Sequence, residues 1–151
     1  MEKVLHFEQI RELLPYSSPF LLVDKITDWI SNEKIIGKKV ISGSDPLIYS
    51  HFKSGMVLVP GVILIELVGQ AGLLLSILSS THANGDNTIN NSENVVLAKC
   101  KADFYGTIRV GDTIDIVVVK EAEIQNKIIT KGELFVDNIL KCKVEIYSAK
   151  I

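Results

Sequence analysis

A long apolar stretch near the middle of the chain, residues 49 to 79, constrains the fold more than any other part of the sequence. Proline suits the first turn of a helix, so the stretch predicts a helix that begins near Pro60 and continues to about Ser79. Glu66 and Gln70 interrupt the apolar run, and their spacing of four residues puts both side chains on one face of that helix. A carboxyl group in such surroundings requires a partner or a chemical role.

This stretch allows two interpretations, a membrane span or the buried helix of a globular core. The run from Met56 to Leu78 is long enough to cross a bilayer. However, Glu66 and Gln70 lie near its centre and Pro60 lies inside it, and polar groups are costly in lipid. A helix that is apolar on all sides can also be the centre of a globular fold. We therefore predict a buried core helix and no membrane span.

Length, charge and cysteine usage favour one compact intracellular domain. Hydrophobic residues make up 47% of the 151 residues, so residues 1 to 151 are predicted to form a single domain with a sizeable core. The net charge of -2, with both signs spread along the chain, supplies no basic surface and argues against a nucleic-acid partner. The two cysteines lack metal-site spacing, and the N-terminal segment is too charged for a signal peptide. These features predict a cytoplasmic protein without a metal site.

The rest of the chain alternates between strand-like and turn-forming segments. An amphipathic helix is predicted from Phe7 to Leu14, where Pro15 ends the pattern. The polar composition from Thr81 to Asn94 predicts an exposed loop. The whole pattern predicts an α+β arrangement in which one long helix lies across a twisted antiparallel sheet. The predicted strands are Phe20–Ile26, Ile35–Ser42, Val95–Phe104, Asp112–Glu121, Lys127–Val136 and Ile139–Tyr147.

Four residues of the central stretch form a candidate acid–base site: His51, Gly61, Glu66 and Gln70. A neutral imidazole and a desolvated carboxyl group supply a base and an acid at the same pH. Unpaired amides after Gly61, at the positive end of the helix dipole, can polarise a carbonyl oxygen. This set suits proton abstraction next to a carbonyl, with loss of a hydroxyl group. Each residue also has a structural explanation: a capping histidine, a carboxylate paired with a lysine or arginine, and a glutamine satisfied in the core.

Short motifs spread over most of the chain are more specific as a set than the histidine or the glutamate alone. They are Leu13-Leu-Pro15, Pro19-Phe-Leu-Leu-Val-Asp24, Asp45-Pro46, His51-Phe52, Pro60-Gly-Val62, Glu66 with Gln70, Phe104 and Gly111-Asp112. This set resembles the β-hydroxyacyl-acyl carrier protein dehydratases of the FabZ type. The resemblance implies the hot-dog fold, with an antiparallel sheet wrapped around one long central helix.

The resemblance also implies a site and a reaction. His51 would take the α-proton of a 3-hydroxyacyl thioester, and Glu66 would help to expel the 3-hydroxyl group as water, leaving a trans-2-enoyl thioester. Gly61 and Val62 would bind the substrate, with the Gly61 amide on the thioester carbonyl, and Gln70 would orient Glu66. The implied partners are an acyl carrier protein and further copies of the chain, as a dimer or a trimer of dimers, with His51 facing Glu66 of another subunit. No cofactor and no metal are implied.

The chain departs from the family pattern close to the histidine. The run from His51 to Pro60 has one residue more than the family motif, and residues 53 to 55 (Lys-Ser-Gly) are altered. Tyr16 stands where the family often has histidine, and Tyr105-Gly106 replaces a basic pair. These departures indicate a specialised dehydratase that acts in a secondary pathway, on an unusual acyl or polyketide chain. The alternatives are a hot-dog thioesterase or enoyl isomerase, and a non-catalytic acyl-binding subunit.

Overall fold

The structure, a computed structural model, describes residues 3–85 and 94–151. Most of the loop predicted at Thr81–Asn94 lies outside these residues, but Thr81–Asn84 form the last turn of the long helix and not a loop. The described elements are α1 (Phe7–Leu13), β1 (Lys25–Ile30), β2 (Lys34–Val40), α2 (Pro46–Tyr49), α3 (Gly61–Asn84), β3 (Val95–Phe104), β4 (Thr113–Ile124), β5 (Lys127–Val136) and β6 (Ile139–Lys150).

All six strands form one antiparallel sheet in the order β1-β2-β4-β5-β6-β3. The hairpins β4–β5 and β5–β6 join neighbours in sequence, whereas β3 lies at one edge and pairs with β6. Within the described residues the other side of β3 has no strand beside it. The predicted α+β arrangement, one long helix across an antiparallel sheet, is confirmed.

The helix α3 packs against one face of the sheet because glycines on both elements allow close approach. A side-chain atom on Gly132 of β5 would come within 2.4 Å of Val68, and one on Gly72 would come within 3.2 Å of Thr130. Although α3 is long and apolar enough to cross a membrane, 67% of its most apolar window is buried inside the protein. The apolar stretch is therefore the core helix of this fold.

The bounds of several predicted elements differ from the structure, and for two elements the difference exceeds three residues. The strand predicted at Phe20–Ile26 begins only at Lys25, because the Leu22 amide bonds to the side chain of Gln70 and not to another strand. The long helix does not end near Ser79 but continues to Asn84, where Gly85 adopts a left-handed conformation with φ of 62°.

Candidate active site

Glu66, in the second turn of α3, is held by the side chain of Gln70. Gln70 is 1% exposed. Its Nε2 donates hydrogen bonds to Oε1 of Glu66 at 3.0 Å and to the carbonyl oxygen of Phe20 at 2.7 Å. Its Oε1 accepts the Leu22 N–H at 2.9 Å. Only this orientation of the amide satisfies all these bonds, since a flipped amide would put its oxygen against two other oxygens.

The surroundings of Glu66 favour its protonated form. Burial raises the pKa of the Glu66 carboxyl above its ordinary value, and the hydrogen bond from Gln70 offsets part of that rise. Tyr16 and Glu66 line one cavity. Burial, and to a smaller extent the charge of Glu66, raises the pKa of the Tyr16 phenol. Oε2 of Glu66 accepts no hydrogen bond from the part of the chain that the structure describes. A half-buried carboxyl with one oxygen available in a cavity has the properties of a general acid.

His51 follows the short helix α2, whose start is fixed by Asp45. The Asp45 side chain accepts the Leu47 N–H at 2.9 Å, and the His51 N–H bonds to the Ile48 carbonyl oxygen at 3.3 Å. The His51 ring lies 3.1 Å, through Nδ1, from the carbonyl oxygen of Leu58. A carbonyl oxygen only accepts, so Nδ1 carries a proton, and in the neutral imidazole the lone pair is then on Nε2. The exposed ring is therefore oriented with its basic nitrogen available.

The additional residue between His51 and Pro60 is accommodated at the surface. Residues 49 to 56 are all exposed, and Gly55 has a φ of 88° with no atom near the position of a side chain. The chain returns to the fold at Leu58, which forms a bridge with Arg109. Leu58 also accepts the hydrogen bond from the ring of His51. Although the loop is altered, His51 is held by two bonds, one from its backbone N–H to Ile48 and one from its ring to Leu58.

The start of α3 supplies unpaired backbone donors. The amides of Gly61 and Val62 donate no hydrogen bond to the described residues, whereas the Ile63 amide bonds to the Pro60 carbonyl oxygen at 3.0 Å. A side-chain atom on Gly61 would come within 3.0 Å of the Phe104 ring. Gly61 therefore lets the Phe104 ring pack directly on the backbone of this turn.

The structure brings some of the predicted residues together and leaves others apart. Glu66 and Gln70 are in direct contact, but no hydrogen bond between His51 and Glu66 occurs within residues 3–85 and 94–151 of one chain. The side of α3 next to Glu66 carries Val62, which is 70% exposed, and the edge strand β3 carries Leu97, which is 57% exposed. This open apolar face, close to the carboxyl group, is suited to a second subunit.

Sequence reasoning missed the backbone partners of the site. The carbonyl of Leu58 sets the tautomer of His51, and the backbone of Phe20 and Leu22 fixes Gln70. Every residue has a carbonyl and almost every residue an amide, so no sequence signal identifies these particular ones. Tyr16 was noted only as a departure from the family motif, and its position in the Glu66 cavity depends on the path of the segment before β1.

A six-stranded antiparallel sheet around one long helix is the architecture of hot-dog proteins, and solved structures of this fold match the chain. The dehydratase heterocomplex ApeI:P from Xenorhabdus doucetiae matches with a TM-score of 0.77 over 94% of this chain and 90% of that chain, at 15% identity. An uncharacterized protein from Pyrococcus horikoshii matches with a TM-score of 0.62 over 86% of this chain and 84% of its own, at 18% identity. The chain has the hot-dog fold, as predicted.

Sequence comparison narrows the class further. The model of the FabA-like domain matches residues 14–145. A relative from Campylobacter jejuni, named 3-hydroxyacyl-[acyl-carrier-protein] dehydratase FabZ, is 36% identical over 139 residues, which are 91% of this chain and 92% of the relative. A relative of the same name from Staphylococcus epidermidis is 30% identical over 148 residues, 97% of this chain and 95% of its own. The chain belongs to the FabA-like family, and the predicted resemblance to FabZ-type dehydratases is confirmed.

Proposed function

We propose that the protein is a hydro-lyase that dehydrates 3-hydroxyacyl thioesters carried on an acyl carrier protein to trans-2-enoyl thioesters. The observation that carries this proposal is the pair of Glu66, a carboxyl with a raised pKa, and Gln70, which holds one of its oxygens. The relatives named as acyl carrier protein dehydratases match nearly the whole chain and support the same reaction. We propose fatty acid synthesis or a related secondary pathway in the cytoplasm as its setting.

The reaction uses one base and one acid. Nε2 of His51 takes the proton from C2 of the substrate, and the electron pair of that C–H bond forms the double bond between C2 and C3. The C3–O bond breaks as Glu66 gives its proton to the departing hydroxyl group, which leaves as water. Amides of Gly61 and Val62 bind the thioester carbonyl oxygen, on which negative charge develops. Gln70 holds Glu66 in position, and the proton on His51 is returned to Glu66 through solvent.

The two halves of the site come from different subunits in this proposal. No hydrogen bond joins His51 and Glu66 among the described residues of one chain, and the apolar face beside Glu66 is open. A second copy of the chain that paired its edge strand β3 with this one would cover that face and bring its own His51 towards Glu66. The homodimer is the minimal active unit, and a trimer of dimers is its larger form.

Activity assays on two variants test the proposal. The purified oligomer is expected to interconvert 3-hydroxyacyl and 2-enoyl thioesters, and both His51→Ala and Glu66→Gln are expected to lower kcat by about 10²–10⁴-fold, the usual contribution of general acid–base catalysis. Water loss is followed by the ultraviolet absorbance of the enoyl thioester, and retained folding by circular dichroism. The matched controls are His82→Ala and Glu12→Gln, which change exposed residues that do not line the cavity of Glu66.

Other outcomes would point to other functions. Normal turnover by either site variant would refute the acid–base assignment. Release of free thiol in place of water loss would identify a thioesterase, and movement of the double bond would identify an isomerase. Binding of acyl thioesters without any turnover would identify an acyl-binding subunit.

The dehydratase heterocomplex among the structural matches favours a second possibility for assembly, in which this chain pairs with a related but different subunit. Native mass spectrometry of the protein purified alone distinguishes the two. A homodimer that carries dehydratase activity supports the first assignment. An inactive chain that gains activity only with a second hot-dog protein supports the heterocomplex.

A further inference from the structure

A narrow groove continues from Glu66 along α3 towards the far half of the helix. Two adjoining cavities form it, one of about 80 Å³ beside Glu66 and one of about 20 Å³ beside Thr130. Both cavities lie between α3 and the strands β3 and β6, and the second also reaches β5. They are lined in common by Gly69, Leu73, Val95 and Ser148. The second cavity therefore extends the first, and Leu73 and Val95 lie at the junction.

A buried hydroxyl group faces the far end of this groove. Thr130 on β5 is 5% exposed, and its Oγ1 has no hydrogen-bond partner among the described residues. Its side chain lies against Gly72, with Oγ1 within 3.5 Å of the position that a side-chain atom on Gly72 would take. Burying a hydroxyl group without a partner is costly, and native proteins rarely do so. The Thr130 hydroxyl is therefore able to bond to a polar atom that enters this groove.

Two further hydroxyl groups line the same end. The side-chain hydroxyl of Ser148 on β6 makes no hydrogen bond within the described part of the chain, and Ser148 is diagonal to Thr130 across the β5–β6 ladder. Diagonal neighbours on one face of a sheet are about 7–8 Å apart, so one oxygen atom between them can bond to both. Ser76 of α3 donates to the Gly72 carbonyl oxygen at 3.3 Å and keeps its lone pairs for an incoming donor.

Charge and size limit what this end can hold. Among the described residues the side chains that line the groove are neutral apart from Glu66, without lysine, arginine or histidine, so they offer no counter-ion to a carboxylate or phosphate there. The end cavity of about 20 Å³ has room for one water-sized group but not for an aromatic ring or a long hydrocarbon tail. Thr130 lies at the level of Gly72, roughly 9 Å along the helix axis from Glu66 at 1.5 Å per residue. The occupant is therefore small, neutral and polar.

We propose that this groove selects a 3-hydroxyacyl thioester of short to medium length whose acyl chain carries a second neutral oxygen, a hydroxyl or keto group, near its far end. This inference rests on the proposed dehydratase function and assigns its substrate class. The chain passes Leu73, and its second oxygen bonds to Thr130 and Ser148. An unsubstituted chain of the same length leaves both hydroxyl groups without a partner, which disfavours it.

Paired substrates test this selection on the intact oligomer. The plain substrate is the pantetheine thioester of 3-hydroxyoctanoic acid, and its partners carry a second hydroxyl group at successive positions from the fifth carbon to the last, or a keto group at the sixth or seventh carbon. We expect kcat/KM for the best oxygenated partner to exceed that of the plain substrate about tenfold, which corresponds to about 1.4 kcal/mol. In Thr130→Val, which keeps the shape of the side chain and removes the hydroxyl, this ratio is expected to fall to about one.

The ratio of kcat/KM for the oxygenated substrate to that for the plain substrate distinguishes a contact of Thr130 with the substrate from a structural role. General damage to the enzyme lowers kcat/KM for both substrates and leaves their ratio unchanged. Thr113→Val, the same substitution at an exposed position at the start of β4, is expected to keep the tenfold ratio. Equal kcat/KM for plain and oxygenated substrates in the wild type, or an undiminished ratio in Thr130→Val, would overturn the inference while leaving the dehydratase in place. Absence of water loss from every thioester would refute the proposed function itself, and the inference with it.

Discussion

Gln70 connects three parts of the molecule through one side chain: the acid Glu66 on its own helix and the backbone of Phe20 and Leu22 in the segment before β1. All of its donors are used, so the amide cannot rotate without breaking a buried hydrogen bond, which costs about 1–3 kcal/mol. This arrangement fixes Glu66 Oε1 and leaves Oε2 for the substrate. A helical spacing of four was enough to predict the contact between Gln70 and Glu66, because those residues share a face of any α-helix.

The raised pKa of Glu66 makes the stability of the protein depend on pH. The pKa of the carboxyl is near its ordinary value of 4.5 in the unfolded chain and is higher in the folded protein. Between these two values the folded state binds more protons, so the free energy of unfolding falls as pH rises through that interval. The Glu66→Gln variant has no carboxyl group at this position, so this fall in the free energy of unfolding does not occur. Urea titrations at a series of pH values should therefore find the variant increasingly more stable than the wild type as pH rises from below 4.5, up to a plateau at the folded pKa.

The exposed Glu12→Gln variant serves as the comparison for this pH dependence, since Glu12 lies on the outer side of α1. Its pH dependence is the background with which that of Glu66→Gln is compared. A stability difference between Glu66→Gln and the wild type that does not change with pH would mean that folding does not raise the pKa of Glu66.

At the scale of elements, the contact between α3 and β5 depends on the absence of a side chain at Gly132. A methyl group there would lie 2.4 Å from Cγ1 of Val68, and both atoms belong to rigid elements. Gly132→Ala is therefore expected to lower the free energy of unfolding by about 1–3 kcal/mol through overpacking. Val68→Ala in the same chain should recover part of that loss, and a double-mutant cycle by chemical denaturation measures the coupling.

Gly43→Ala provides the matched control, because its new methyl group would make an ordinary contact of 3.4 Å with Val110. Its effect on stability should stay small. Additive effects of Gly132→Ala and Val68→Ala would contradict the close packing of helix on sheet.

Sequence patterns predicted the strands of the second half of the chain well, since β3 and β5 have the predicted bounds, Val95–Phe104 and Lys127–Val136. Those strands alternate and are separated by turn residues, which are local signals. The wrong strand, Phe20–Ile26, contains the apolar residues Leu21, Leu22 and Val23, and all three are buried. The apolar pattern therefore predicted burial correctly. The backbone of this segment bonds to Gln70, a side chain distant in sequence, and not to a neighbouring strand. Local sequence patterns carry no information about such contacts.

At the scale of the whole molecule, β3 is a ten-residue edge strand with exposed apolar side chains. The unpaired backbone groups of such an edge can pair with a strand of another chain, and a lysine at the edge opposes that pairing. Leu97→Lys is expected to turn the oligomer into a monomer, measured by size-exclusion chromatography with light scattering. The sequence alone predicted a dimer only through family resemblance, because Lys99 and Lys101 of β3 are typical of an edge strand but do not identify its partner.

Ile124→Lys introduces the same charge at a more exposed apolar residue, 65% exposed, at the far end of β4. This control should stay oligomeric. If Leu97→Lys stayed oligomeric while Ile124→Lys dissociated, the subunit interface would not include β3.

The hydrogen bond from the Leu22 amide to Gln70 gives the protein an internal reporter. The side-chain amide of Gln70 links the backbone N–H of Leu22 to the Glu66 carboxyl through two hydrogen bonds. Loss or gain of a proton on Glu66 changes the polarisation of this amide, and therefore the magnetic shielding of the Leu22 N–H. The nitrogen and proton resonances of Leu22 thus follow the charge of a residue 44 positions further along the chain. Nuclear magnetic resonance can read the ionisation of the proposed acid, and its change when substrate binds, from a backbone signal that takes no part in the chemistry.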